Sequence, residues 1–318
     1  MARRTAKQRL ESRIARRTGR GSAALSPAYP ILLARDYWRA LRRVEDWLLD
    51  KIPIWLSPSL ELAQPRVDDL RSNVLGALTV LRGNLEERFS DAGIAHLIRP
   101  YGERVDDKHR RVFQAALRSL VGVEILESER IRGPLLNSWV EDNVVLIKTI
   151  RDEAIPGMAV DIEQAFAQGM RHEELLKKWQ REGLPVDRGT LRQRAKVIAR
   201  DQISKLNGQL TEYRQGRAGI SEYDWMSVAD GKRVRKLHRA LHGTRRSWDE
   251  PHPTEGHPGH AVQCRCTARA HIDLDAILGT DSVVPVTPLG IAALAEHRRR
   301  QMPTIHQPTT ITLPGASP

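Results

Sequence analysis

His238 and His242, four residues apart in "RKLHRALHG", are followed by Cys264 and Cys266 in "QCRCT", the chain's two cysteines. On a helix, residues i and i+4 share a face, so the two imidazoles could grip one metal ion. On a strand, residues i and i+2 share a face, so two thiolates could meet them from the other side. Four nitrogen and sulfur donors with no open position make a structural zinc site. The usual zinc spacing is Cys-x-x-Cys, however, and here the histidines precede the cysteines. Val234, Leu237 and Leu241 form an apolar stripe beside His238. Three readings stand: a structural zinc, a metal-free polar core joining helix to strand, or the remains of a catalytic centre.

The catalytic reading is the weakest. A zinc peptidase needs His-Glu-x-x-His, whose glutamate serves as general base. This chain has His-Arg-Ala-Leu-His, and Arg239 cannot take a proton. Nothing in "QCRCT" marks a nucleophile at a helix start, and no Gly-rich phosphate loop is present. No enzymatic activity is expected, and no cofactor beyond a structural zinc.

The residues around the cluster have structural uses. Asp230 fits a helix N-cap or a tight turn with Gly231, and Gly243 fits a C-terminal helix stop. Arg233 and Arg235 are expected to pair with backbone carbonyls or with Asp224 or Asp249. Trp225 and Trp248 bracket the helix and are the expected anchors of a small module, with Arg265 between the cysteines.

The elements that must position this cluster are mostly helical. Aromatics make up 5% of the chain, and 28% of residues are charged. Apolar residues at three- and four-residue steps predict helices over about 35–51, ended by Pro53 and Pro58, over 67–89, and over 103–129, ended at Gly133-Pro134. A helix over 135–153 is expected to break at Ile155-Pro156-Gly157. Further helical pieces follow, punctuated at Gly169 and Gly183-Leu-Pro185. The clearest carries Leu191, Ala195, Ile198, Ile203, Leu206, Leu210 and Tyr213 as its stripe, with Arg192, Lys196, Arg200 and Lys205 as a solvated flank. Short strands are expected around "EYDWMSVA" and "VQCRCTARAHI". The fold class is mainly α, with a helical N-terminal region, a small irregular α+β module and a flexible tail. The boundaries read as a flexible basic arm over 1–30, a helical domain over 31–157, helices over 158–215, the module over 216–275, and a Pro/Thr-rich tail over 276–318.

The charge is +12 at pH 7, with a pI near 10.1. Such a balance attracts polyanions, nucleic acid above all. It is uneven: Arg3, Arg4, Lys7, Arg9, Arg13, Arg16, Arg17 and Arg20 face one glutamate in the first twenty residues. These eight are the candidate contacts to double-stranded DNA, which they would bind without sequence preference. No run approaches eighteen apolar residues, so no membrane partner is expected. The arm lacks the apolar core of a secretory signal and the apolar face of a transit peptide. Two cysteines make no disulfide framework, which suits a reducing compartment.

One ordered set of motifs is more specific than any of its parts. "RAKVIAR" at 194–200 is followed by Trp225, "DGKRVRKLHRALHG", Trp248, "HPG" at 257–259 and "CRC". This order resembles the phage Mu F-like head morphogenesis proteins, also called minor head or minor capsid proteins, over roughly 158–272. Members usually carry Thr-Glu or a similar pair after the first motif, where this chain has Asp201-Gln202. The resemblance implies a structural minor head protein of a tailed bacteriophage. It implies a portal protein and a scaffold or major capsid protein as partners, and a place inside the capsid near packaged DNA after assembly in the host cytoplasm. The alternatives are a sequence-independent nucleic-acid-binding protein, or a metal-dependent hydrolase or toxin-like enzyme attached to a head-protein module.

Overall fold

The computed structural model describes residues 4–17, 25–63, 67–126, 129–186, 189–228 and 234–301, the side chains of 17, 61–73 and 129–132 excepted. The chain is mainly α, with short antiparallel sheets between the helices.

The helix α1 (Ala6–Arg17) stands where a flexible arm was expected. Leu10 and Ile14 on one side of it join Phe113, Leu117, Leu120, Ala293 and Leu294 in a core cluster. Two apolar residues one turn apart suffice to seat a short basic helix, because its arginines occupy the other faces. The expected helix over 35–51 is divided into α2 (Ile31–Leu41) and α3 (Arg43–Trp55), and α3 runs through Pro53. Pro58 falls in the first turn of α4 (Ser57–Ala63), where proline's missing N–H costs nothing. Next come α5 (Val67–Arg88) and α6 (Asp91–Leu120), the latter capped by the Ser90 hydroxyl, which accepts from the Gly93 N–H. The chain then turns at Gly122, with φ +84, into β1 (Val123–Ile125).

The longest helix, α7 (Glu129–Ala167), passes through both expected stops, Gly133-Pro134 and Ile155-Pro156-Gly157. An interior proline costs a hydrogen bond and a clash, about 3 kcal/mol. Burial of Ile150, Ala154, Ile155, Met158 and Ile162 around the second stop offsets that cost. Gly157 has its own reason: a Cβ there would stand 2.3 Å from the Pro185 carbonyl oxygen. A short helix α8 (His172–Glu182) and the hairpin of β2 (Pro185–Val186) and β3 (Gly189–Thr190) lead to α9 (Leu191–Arg217).

A capping box starts α9: the Thr190 hydroxyl accepts from the Gln193 N–H while the Gln193 side chain accepts from the Thr190 N–H. The helix packs against α2, α6 and α7 at the centre of the molecule. Its expected apolar stripe is buried from Leu191 to Leu210, but so is a second, polar seam: Asp201, Gln202, Ser204, Asn207, Thr211, Arg214 and Gln215. Arg214 is fully buried and donates to Asp106 at 2.5 Å and to His109 Nδ1 at 2.9 Å.

Beyond α9 the small module is a three-stranded sheet in the order β5-β4-β6, built from β4 (Glu222–Met226), β5 (Arg245–Ser247) and β6 (Thr267–Ala270). Alternation along β4 turns Tyr223 and Trp225 inward. The one-turn helix α10 (Lys236–Ala240) lies between β4 and β5. Residues 276–301 do not form the expected tail. The chain there continues α11 (Leu274–Gly279), which starts at the end of the module, and adds β7 (Val283–Pro285) paired with β1 and α12 (Pro288–Gln301) packed on α1. Ile277, Leu278, Val283, Ala293 and Leu294 supply the apolar surface for this return to the core. The rest of that tail, 302–318, lies outside the described residues.

Candidate functional site

His238, Cys264 and Cys266 come together, with His238 on α10 and both cysteines in the loop that enters β6. One ligand atom from each, Nδ1 or Nε2 of the histidine and Sγ of each cysteine, lies within 4.8 Å of the others, and all three residues are buried. It is the one such cluster of three or more His, Cys, Asp or Glu among the described residues. His238 Nδ1 stands 3.4 Å from Cys266 Sγ and 3.6 Å from Cys264 Sγ. Its other nitrogen, Nε2, donates to Glu255 at 2.6 Å, and Trp225 packs edge-on against the ring at 5.5 Å.

His242 is not part of the cluster. Only five residues of "RKLHRALHG" are helical, and α10 ends at Ala240. The i, i+4 geometry is therefore lost; His242 is exposed in the following turn, its Nδ1 accepting from the Ser227 N–H at 3.1 Å. The cysteines also depart from expectation. They precede the strand rather than lie in it, and converge because the backbone folds at Gln263, with φ 55.

Asp201 holds that fold. Its Oδ1 accepts from the Gln263 N–H at 2.7 Å, and its Oδ2 accepts from Gln202 at 3.0 Å and pairs with Lys205 at 2.9 Å. The Ser204 hydroxyl donates to the Cys264 carbonyl one turn further along α9. Gly208 and Gly259 let the loop reach the helix: a Cβ on Gly208 would stand 2.7 Å from the Pro258 carbonyl oxygen, and Gly259 has φ +93. The Gly259 and Cys266 N–H groups both donate to Cys264 Sγ at 3.4 Å.

These contacts divide the two thiols. The Cys266 thiol, donating to Cys264, draws the Cys264 group down to about 6 against the opposing effect of burial. The two backbone N–H groups and His238 act in the same direction. The same pairing and burial push Cys266 up. Hydrogen bonding by His238, against the opposing effect of burial and with smaller help from the neighbouring His238 and Arg235 charges, holds the Glu255 carboxyl below its ordinary value. The three ligand residues line a cavity of ≈ 340 Å³ together with Arg200, Arg235, Arg265, Val228, Val234, Val262 and Gln263.

Of the expected structural residues, Trp225 is fully buried, and Trp248 packs on Tyr223 at 4.3 Å and donates to Gln215 at 3.0 Å. Gly243 has φ +79 in the turn that follows α10. Arg235 pairs with Glu255 at 2.8 Å and donates to the Val262 carbonyl at 2.7 Å, whereas Asp224 takes Arg245 and Arg269. Asp230 and Arg233 lie outside the described residues. Glu255 escaped the sequence reading; its one signal was an acid in a Gly/Pro-rich stretch short of core. Asp201 was visible only as a departure from a motif.

The basic residues are divided as well. Arg4, Arg9, Arg13 and Arg16 line a groove of ≈ 920 Å³ with Pro288, Leu289 and Ala292 of α12. Lys7 turns away from it and pairs with Asp275 at 2.5 Å. Arg3, Arg20 and the side chain of Arg17 lie outside the described set.

Residues 157–269 match the family model described as Phage Mu protein F like protein. That segment runs from the last third of α7 into β6, so it contains α9, nearly all of the sheet and the thiol–imidazole cluster. An uncharacterized protein of Haemophilus influenzae (strain ATCC 51907 / DSM 11121 / KW20 / Rd) is 29% identical over 167 residues, 52% of this chain. The match spans 34% of that relative's own length. No solved structure matches the chain.

Proposed function

We propose, from the premise that residues 157–269 form a Phage Mu protein F like region, that the chain is a structural minor head protein acting in bacteriophage head morphogenesis. The observation that carries this reading is the family match itself, which falls on the segment where the order of motifs had pointed to the same family. In the finer form of the proposal the protein associates with the portal and with a scaffold or major capsid protein, and lies inside the capsid against packaged DNA. No helix among the described residues is long and apolar enough to cross a membrane. The reading needs no enzymatic step: the centre of the matched segment is a buried polar seam tying α9 to a sheet, an architecture suited to holding shape.

Two surfaces favour contact with DNA. The α1 groove presents Arg4, Arg9, Arg13 and Arg16, and Arg298, Arg299 and Arg300 crowd the last turn of α12. Phosphate contacts by such residues give sequence-independent affinity that falls steeply with salt. Deleting the N-terminus is a poor test, because Leu10 and Ile14 belong to the core. Replacing the four groove arginines by serine leaves that packing in place. The variant is expected to bind duplex DNA more weakly, with a log-log salt slope shallower by up to about 4. An unchanged slope would exclude the groove as a DNA contact. For the head itself, co-expression with the portal protein of the same phage is expected to give a complex that survives size-exclusion chromatography. Separate elution would refute portal association.

A further inference from the structure

We propose that His238, Cys264 and Cys266 form a zinc centre with three protein ligands whose fourth position opens into the arginine-rimmed cavity. This inference stands on side-chain geometry and is independent of the head-protein reading.

The distances fit a metal. With Zn–S near 2.3 Å and Zn–N near 2.05 Å, tetrahedral angles put a ligand sulfur and a ligand nitrogen about 3.6 Å apart. The two N···S distances are 3.4 and 3.6 Å. Hydrogen bonding alone explains them less well. With the Cys266 S–H given to Cys264, one in-plane lone pair on a neutral imidazole cannot bond both sulfurs, yet both stand at that distance from Nδ1. A cation at the point where Nδ1 and both sulfurs converge uses all three.

The surroundings prepare each ligand. Glu255 accepts from His238 Nε2 at 2.6 Å, which leaves Nδ1 as the nitrogen turned toward the two sulfurs. A carboxylate behind a ligating histidine in this way orients the ring and strengthens it as a donor. Arg235 anchors Glu255 in turn. The two backbone N–H groups on Cys264 Sγ stabilise a thiolate. Binding leaves both sulfurs as thiolates, and the dication with two thiolates sums to zero charge, which makes burial of the ion tolerable. Two sulfurs and an imidazole select zinc over magnesium or calcium.

Among the described residues no fourth protein donor joins the three. His242 faces Ser227 instead, and the three ligands all line the ≈ 340 Å³ cavity. Its other lining includes Arg200, Arg235 and Arg265, which together with a metal ion favour a small anionic ligand over a neutral one.

The test uses the full chain, purified under reducing conditions and analysed by plasma mass spectrometry. About one zinc per chain is expected, and His242→Ala should keep it, whereas a four-ligand site would lose it. Cys264→Ser and His238→Ala are expected to lose zinc, and Glu255→Gln to weaken zinc binding about 10- to 100-fold. Cobalt(II) substitution reads the open position: thiolate-to-cobalt absorption should appear, and azide should shift the visible bands. Asp230→Asn should leave both spectra unchanged. Wild-type protein without zinc and unable to bind cobalt would overturn the centre. Loss of metal in the His242 or Asp230 variant, or bands indifferent to azide, would overturn the open position.

Discussion

Removing the Asp201 carboxylate should damage the cysteine loop more than an ordinary surface substitution would. The side chain is buried on α9, and its Oδ1 accepts the Gln263 N–H at 2.7 Å. A hydrogen bond to a charged group contributes about 1.5–3 kcal/mol. The Lys205 pair adds less, because that lysine is about one-third exposed and such pairs give at most about 1 kcal/mol. Gln263 has a left-handed backbone, which persists only while its neighbours hold it. Asp201→Ala is therefore expected to cost about 2–4 kcal/mol in urea unfolding. The loop released by the change carries Cys264 and Cys266, which are 4% and 7% exposed. Their reaction with a thiol reagent under native conditions should quicken at least about tenfold, corresponding to about 1.4 kcal/mol of lost protection. A variant within about 0.5 kcal/mol of the parent, with thiols as protected as before, would refute the anchoring role.

Gln263→Gly tests the same backbone from the other side: glycine adopts φ 55 without strain, so stability should rise by up to about 1 kcal/mol, measured by urea midpoint. A loss of stability would mean that the glutamine side chain contributes more than its backbone costs. Asp106→Ala is expected to cost about 3–5 kcal/mol by removing the carboxylate beside buried Arg214, and the double change with Arg214→Met to cost less than the sum of the single ones. Additive losses would sever the pair. Acid should destabilise the protein through two histidines, the buried His109 and the half-buried His260. Burial first, and then the Arg214 charge, depress His109 well below its ordinary value, and burial likewise brings His260 down to about 4. Such groups stay neutral in the native state while the unfolded chain takes up protons near pH 6.5. Their stabilising effect is complete above that pH and is lost as pH falls, each by at most about 1.4 kcal/mol per unit, the His260 loss ending near 4. Urea midpoints at pH 7.5 and 5.5 should differ in this sense, and His109→Gln should lessen the difference. Equal midpoints would refute it.

The helical class was legible because α5 and α9 have apolar periodicity long enough to outlast local noise. The helix breaks were not. Pro53, Pro134 and Pro156 all sit inside helices; around Pro156, burial of Ala154, Ile155, Met158 and Ile162 outweighs a local penalty that sequence shows without its compensation. The terminal segments were misread for a related reason. α1 and α12 each have too few apolar residues to bury alone, and only their pairing makes a face. At the cluster, three of four expected ligands converge. His242 fails because a helix of five residues cannot carry an i, i+4 pair across its own end. Glu255 and Asp201 act from 17 residues after His238 and 62 residues before Gln263, distances over which spacing carries no signal.

Whether the chain is built into phage heads can be measured directly. Induce a lysogen carrying the gene, purify the particles through a density gradient, digest away external DNA and protein, and quantify the chain by peptide mass spectrometry. Peptides spanning 157–269 are expected in intact particles, protected from external protease and in constant ratio to the portal protein. Peptides confined to the soluble lysate, with none in the particles, would contradict the head-protein reading.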